Sequence, residues 1–477
     1  MNDIQKNTLV SILRRGAEKL REARLPGDLA AAFERLASQV DQPCVLAIVG
    51  RVNAGKSTFI NALLGEDLAP TGDTETTATI NHFHYGTPAD PARPIRCRWR
   101  NGCQEDVSRD FLDGLQGNDL DTLRRAEGID YLEYFLPNPF LRDITLVDTP
   151  GTGAVVDEHQ DRTAEFLQLH NQLRQRHQHD TQRIGSDADA VIYLVGQVSR
   201  ANDREFLDEF NQAACGQSRA LNALGVMAKI DLQAEILARR TELAAKIADQ
   251  LQRNLNTVVP VSAGIHRAMR RLRENGNREL IRLMIKLRQI PPKRLDQLLD
   301  SDDLYEMDFD DCPISADERR QLKGNMPWSV FTTIARLAAN SSLNGLAIVE
   351  QIDELSGFGP LTEMLQRHFF KRGRFLRRFR ILENARKLLN EVRFKHLPEF
   401  RKRDREDMAR RERFVQCIRS SQGDPSVARE LEEFVRLQCG TARRSERLEA
   451  VVKDLDLQFG QLYHDLEEHN ADFQALE

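Results

Sequence analysis

Cysteine is sparse and unpaired in this chain. The seven in 477 residues, at 44, 97, 103, 215, 312, 417 and 439, include no C-x-x-C, so neither a zinc site nor a disulfide framework is expected. Reduced cytoplasmic thiols are the plain expectation. No run of about eighteen apolar residues occurs, which argues against a membrane-spanning helix. The opening MNDIQKNTLVSILRRGAEKL lacks the apolar core and small-residue cleavage site of a signal peptide. Secretion and membrane spanning are not expected, whereas lying on a membrane surface stays open. An excess of one charge is missing too: 68 Lys and Arg face 73 Asp and Glu, a net of −5. That disfavours a sequence-reading nucleic-acid binder, and 40% hydrophobic residues disfavour disorder. The length suits two or more domains.

Apolar residues recur at helical spacing in residues 1–42: Leu9, Ile12, Leu13, Ala17 and Leu20, then Leu29, Phe33, Leu36 and Val40 after Pro26-Gly27. Two short helices are predicted there. Pro43 then opens an apolar run, 44–49, of the kind buried inside a parallel sheet. Further strands are expected at 79–85, 95–100, 129–136, 144–147, 190–195, 224–228 and 258–261, with helices at 57–64, 157–177, 202–214 and 232–255. The alternation predicts an α/β domain with a mostly parallel sheet.

After Val261 the strands stop. The acidic stretch 296–318 mimics a calcium loop from Asp300, but Tyr305 stands where such a loop needs glycine. A solvated acidic connection is the expectation. Residues 331–349 are apolar enough to suggest a membrane-surface helix, yet Asn340, Ser341, Ser342 and Asn344 interrupt them and favour two core helices. Phe375, Phe379, Leu382, Ala385, Leu389 and Val392 mark a helix from about 361 to 420, roughly 90 Å if unbroken. Pro398 predicts a kink in it. Beyond the turn signal SSQGDPS, Leu448, Val452, Leu455, Phe459, Leu462 and Leu466 step by four and three, a seam for another helix. A long antiparallel helical hairpin is expected. Residues 364–413 hold 18 Lys or Arg against 7 acidic residues, and 424–477 hold 6 against 13. Helix faces that pair with each other explain this division. Contact of the basic helix or its tip with anionic lipid is the sharper alternative.

The strongest signal is Gly50-Arg51-Val52-Asn53-Ala54-Gly55-Lys56-Ser57-Thr58, directly after a strand and opening a helix. It satisfies G-x-x-x-x-G-K-[ST] in the context that motif requires. The glycines let backbone N–H groups close around phosphate oxygens, and the helix N-terminus adds positive potential. Lys56 would bridge the β- and γ-phosphates, and Ser57 would ligate Mg²⁺. Asp148-Thr149-Pro150-Gly151 follows another strand, as the second Mg²⁺-side carboxylate and a γ-phosphate-sensing glycine should. Ala228-Lys229-Ile230-Asp231 resembles the guanine-selecting N/T-K-x-D motif. There Asp231 would accept both guanine N–H donors and Lys229 would lie over the ring. The backbone at Val261-Ser262-Ala263 would meet the guanine oxygen. In this order these segments favour GTP over ATP, although Ala228 departs from the usual Asn or Thr. The threonine-rich loop 70–79 should close over Mg²⁺ when the γ-phosphate is present, with Thr77 the first candidate sensor and Thr76 the second. A plain hydrophilic loop remains the alternative.

With these residues assembled, the chain resembles the dynamin superfamily, specifically bacterial dynamin-like proteins such as the mycobacterial isoniazid-induced GTPases. The likeness is carried by VGRVNAGKSTFINALLGEDLAPTGDTETTATINHFHYG and by the 92 residues from Lys56 to Asp148. Ser356-Gly357-Phe358-Gly359-Pro360-Leu361 also looks like that family's junction between GTPase domain and helical neck. The resemblance implies N-terminal helices joining a neck bundle at 1–42, a GTPase domain at 43–326, connecting helices at 327–360, and an antiparallel helical stalk at 361–477 with its tip near 418–427. It further implies GTP/GDP and Mg²⁺ as cofactors, a homodimer through the GTPase faces, and peripheral contact with anionic membrane around Ile418 and Val427. Membranes would then be bent, fused or severed. Two residues depart from the relatives: Val52 stands where eukaryotic dynamins have a catalytic glutamine, and Thr152 where Ras-like enzymes have one. Slow intrinsic hydrolysis, speeded by dimerisation, is expected.

Three other features carry less. The histidines at 170, 177 and 179 lack metal-ligand spacing and are expected to be solvated. A ribosome-assembly GTPase would share these motifs and use the basic helix on RNA, but that helix has no aromatic stacking platform. A GTP-gated assembly protein with negligible turnover is the third reading.

Overall fold

Cys44–Gly50 forms β1, a strand without a polar side chain that is suited only to the middle of a sheet. It is flanked on both sides by parallel neighbours. The other strands are β2 (Asn81–Tyr85), β3 (Ile95–Trp99), β4 (Gln104–Val107), β5 (Ile129–Leu136), β6 (Ile144–Asp148), β7 (Ala190–Val195), β8 (Ala223–Met227) and β9 (Val258–Pro260). The sheet order is β4-β3-β5-β2-β6-β1-β7-β8-β9. Among the described residues, five pairings are parallel and three, all involving β2 or β3, are antiparallel. The sheet is therefore mostly parallel. This computed structural model describes residues 3–51, 53–66, 68, 79–115, 120–149, 176, 188–196, 207, 223–370, 372–420, 425–438 and 444–475. Nearly all of the expected switch loop with Thr76 and Thr77, Val52, Gly151, Thr152, most of the helices expected at 157–177 and 202–214, and the three histidines lie outside them.

The chain forms two units, Pro43–Gly373 and a second built from Met1–Gln42 with Arg374–Glu477. Residues 327–360 belong to the sheet-bearing unit. Their helices, Trp328–Ala339 and Gly345–Ser356, bury Val330, Phe331, Ile334, Ile348 and Ile352 in its core.

Several elements differ from expectation. β4 is a polar edge strand, QEDV, with no apolar alternation to reveal it. Ala263–Leu287 is a long helix absent from the sequence expectation, although Ile265, Ala268, Met269 and Leu272, then Leu280, Leu283 and Leu287, recur at helical spacing; Gly276 and Asn277, with left-handed backbone angles, interrupt its regularity between the two runs. The acidic stretch 296–318 is not a solvated connection. It is built around Tyr305 and Arg319, both fully buried, and the short helices Asp302–Glu306 and Ala316–Lys323. Arg319 donates to the carbonyls of Tyr305 (2.8 Å), Met307 and Ile314. Replacing it by methionine strands those acceptors in the interior, so Arg319→Met should destabilise by about 3 kcal/mol or more. A thermal melt of the full chain reads this out, and an unchanged melting temperature would contradict it.

In the second unit, both ends of the chain share one core. Leu13, Leu20 and Phe33 from helices Asp3–Glu22 and Gly27–Gln39 pack with Ile381, Leu455 and Phe459. Phe33 and Phe459 stack at 6.3 Å. The seam at Leu448, Val452, Leu455, Phe459 and Leu466 is buried. The expected 361–420 helix is interrupted twice. A π-helical turn at Leu365–Phe370 lies in the sheet-bearing unit, and another, Val392–His396, immediately precedes the helix that contains Pro398. A π-turn there accommodates the donor that proline lacks. The charge division is met by pairing across helices: Arg393–Asp456 and Arg401–Glu449, each at 2.8 Å, and Arg419–Glu432 at 2.7 Å. No helix among the described residues is long and apolar enough to cross a membrane.

Candidate functional site

The carboxyl ends of β1, β6, β8 and β9 carry the loops that matter, the usual place for ligands in an open α/β sheet. After β1 the chain turns through Gly55, whose φ of 90° is open to glycine, into the helix Lys56–Leu64. Ser57 and Thr58 sit half-buried in its first turn, with Ala54 half-buried and Asn53 exposed just before it. Lys56 is 5% exposed. Its Nζ donates to the carbonyls of Gly50 (3.3 Å) and Arg51 (3.2 Å). Burial lowers its pKa, and the charge of Asp148 opposes this.

Asp148 ends β6 and is fully buried. Burial drives its carboxyl up to about 6, against the opposing influence of Lys56 and of the Asn81 amide. Neither carboxylate oxygen meets a hydrogen-bond partner in normal geometry among the described residues. A buried carboxylate left this way suits a divalent cation, whose charge would return its pKa to the ordinary range. Asn81 stands opposite Asp148 in the β2–β6 register. Sequence reasoning assigns it no role, since a single asparagine at the head of a strand has no distinguishing pattern. The neighbouring Thr149 is also buried, its hydroxyl donating to Ile48 O at 2.9 Å.

The base-side loops converge on the same edge. Lys229 is exposed, and its Nζ donates to Asn53 O at 2.8 Å, tying the loop after β8 to the phosphate loop. Asn53 and Lys229 both have φ of 60°, a conformation that costs a non-glycine residue on the order of 1 kcal/mol or more and tends to mark functional sites. Asp231 is half-buried, with Oδ2 3.4 Å from where a Cβ on Gly264 would stand. Ser262 is fully buried and caps Ala263–Leu287, its Oγ accepting from Ile265 N at 3.0 Å. Ala263 is half-buried beside it. The phosphate loop, Asp148 and the segments at Lys229, Asp231 and Ser262 thus lie on one edge of the sheet. Ile418 and Val427 belong to the other unit, Ile418 half-buried and Val427 52% exposed.

Next to this edge, His266 stacks on Phe358 at 4.1 Å. Burial drives its imidazole down to about 4, with Arg270 and Arg273 adding and Asp353 opposing. An unfolded histidine titrates near 6.5, so between these values the unfolded chain binds a proton that the folded one refuses. Stability should therefore be complete above about pH 6.5 and fall as the pH drops toward 4. His266→Phe should flatten that part of the melting-temperature profile, and an unaltered acid slope would contradict it.

Comparison with known proteins adds the family. The Dynamin family profile matches residues 46–212. Isoniazid-induced protein IniC of Mycobacterium tuberculosis is 31% identical over 335 residues, 68% of this chain and 62% of the relative. The match therefore spans a little under two thirds of that relative's length. Dynamin-like protein 2 of Campylobacter jejuni is 29% identical over 122 residues, 26% of this chain and 19% of that protein. Among solved structures, a chain of an oligomerised bacterial dynamin pair, described as a mechanism for long-range sensing and tethering of membranes, aligns over 98% of this chain and 93% of its own. Its 14% identity and TM-score of 0.37 are too low to carry weight. On its profile match and its mycobacterial likeness, the chain belongs to the dynamin family.

Proposed function

We propose that this chain is a dynamin-like GTPase that binds GTP with Mg²⁺, hydrolyses it, and couples the cycle to self-association and peripheral contact with anionic membrane. The observation that carries the nucleotide part is a buried Lys56 beside a buried Asp148, at the mouth of a phosphate loop. The Asp148 carboxylate has no partner in normal hydrogen-bond geometry among the described residues. Backbone N–H groups from Gly50 to Thr58 would hold the phosphates, with Lys56 between the β- and γ-groups. Ser57 and Asp148, with Thr77, would hold Mg²⁺, Asp148 through water. The cation supplies charge neutralisation on the phosphate oxygens. Gly151 would sense the γ-phosphate. Asp231 would accept the two guanine N–H donors, Lys229 would cover the ring, and the Ser262-Ala263 backbone would meet the guanine oxygen.

The membrane part is supported by exposed apolar residues set among arginines in the helical unit. Phe414 and Val427 are each 52% exposed and Met408 is 38% exposed, alongside Arg410, Arg411 and Arg413. Such a mixture suits anionic headgroups.

The test is GTP turnover against protein concentration, with and without anionic liposomes, using Lys56→Ala as the blank. Specific activity that climbs with concentration and again with lipid upholds the reading. Flat turnover under both makes the protein a nucleotide-gated switch instead.

A further inference from the structure

Nearly a hundred residues beyond the base loop, the chain returns to it. Ser262 N donates to Ser356 O at 2.9 Å. Next in sequence, Gly357 has φ of 71°, and a Cβ there would stand 2.0 Å from the Pro260 carbonyl oxygen and 3.3 Å from Val261 Cα. No side chain fits without displacing the segment 260–262 that leads to the base. Phe358 is 2% exposed. Its ring stacks on His266 at 4.1 Å and 17°, and packs on Phe59 at 5.8 Å. His266 lies in the first turns of Ala263–Leu287, and Phe59 in the first turn of Lys56–Leu64. One aromatic side chain thus touches both helices whose N-termini carry the proposed phosphate and base contacts. The turn is itself held firmly. Ser356 Oγ donates to Asp353 O at 2.7 Å and accepts from Phe358 N at 3.2 Å.

We propose that the Ser356-Gly357-Phe358 turn is a positioning element of the nucleotide site, fixing the base-side loop 260–263 in register with the phosphate-loop helix. The proposal rests on the assignment of 228–231 and 261–263 to guanine. A rigid part that touches no ligand sets selectivity through the alignment of parts that do, and small displacements there are costly. Loss of the wedge should loosen the base half against the phosphate half. The phosphate loop, closed by its own backbone, should keep its grip.

The experiment measures affinities for GTP, ATP and inorganic tripolyphosphate, each with Mg²⁺, for the full chain and its variants. Phe358→Ala should lower the preference for GTP over ATP by roughly tenfold while tripolyphosphate affinity stays within about threefold. Phe358→Leu, which keeps most of the apolar volume, should recover most of that preference. Arg319→Met, destabilising in the same unit but making none of its hydrogen bonds to Ser356, Gly357 or Phe358, should lower the melting temperature and leave the preference alone. Should Phe358→Ala not fold, Gly357→Ala carries the same expectation. Preference retained in the variants, or GTP and tripolyphosphate weakened in equal proportion, overturns the proposal. If the wild-type chain binds GTP no better than ATP, the guanine assignment itself fails and takes the proposal with it. A wild-type preference that the variants leave intact sinks only the positioning role.

Discussion

Lys56→Ala should lower kcat/KM for GTP by on the order of 10³-fold or more, with the fold intact by circular dichroism and gel filtration. Two losses combine. The first is direct, since the ammonium that would lie between the β- and γ-phosphates is gone. The second acts through Asp148. Lys56 is a cation that opposes burial's upward push on this carboxyl, which stands at about 6 even so. Without the lysine, the carboxyl should rise further and be substantially protonated near neutrality. A protonated Asp148 is a poor partner for Mg²⁺ and its waters, so apparent Mg²⁺ affinity should fall and recover only as pH is raised. Titrating Mg²⁺ against binding of a fluorescent GTP analogue at two pH values separates the two losses. Binding within threefold of wild type would remove the phosphate loop from the account.

Asp231→Asn is expected to exchange guanine for xanthine. A carboxylate accepts from both N1–H and the exocyclic amine, and an amide cannot do both. The amide can instead donate to the carbonyl that xanthine carries in place of that amine. GTP affinity should drop about 100-fold or more and XTP affinity should rise to meet it, because a buried polar group without its partner discriminates strongly. Loss of GTP binding without a gain for XTP would mean that Asp231 supports the loop rather than reading the base. Ala228 sharpens this test. The usual Asn or Thr is absent there, so more of the selectivity should fall on Asp231.

The parts of the site built from consecutive residues are legible in the sequence itself. Gly50 to Thr58 lie together in sequence and in space, and β1 is apolar throughout because it is buried on both faces. The base-side segments are weaker signals that gain force from their order along the chain. What stays hidden comes to the site by packing. Asn81 meets Asp148 across the β2–β6 register. His266 and Phe358 meet through tertiary contact. Local chemistry hides other elements. QEDV has the composition of a loop and is a strand only because β3 offers it an edge. Arg319 directly follows an acidic stretch with the composition of a solvated loop, yet backbone carbonyls gather round its guanidinium and bury it.

The shared core of the two chain ends has a consequence for how the protein is made. Arg15 and Gln458, hydrogen-bonded in the folded unit, are 443 positions apart. On a ribosome adding about 5–20 residues each second, the first helices would wait roughly 20–90 s for their partners. During that interval Leu13, Leu20 and Phe33 can pack only between their own two helices, without Leu455 and Phe459 to complete their core. The residues between can meanwhile collapse into the sheet-bearing unit. Closure then joins segments across a folded body rather than a loose chain of 331 residues, Pro43 to Gly373, sparing much of the loop-closure entropy. Biosynthesis thus leaves a newborn amphipathic helix pair waiting with its core incomplete, a natural client for a ribosome-associated chaperone.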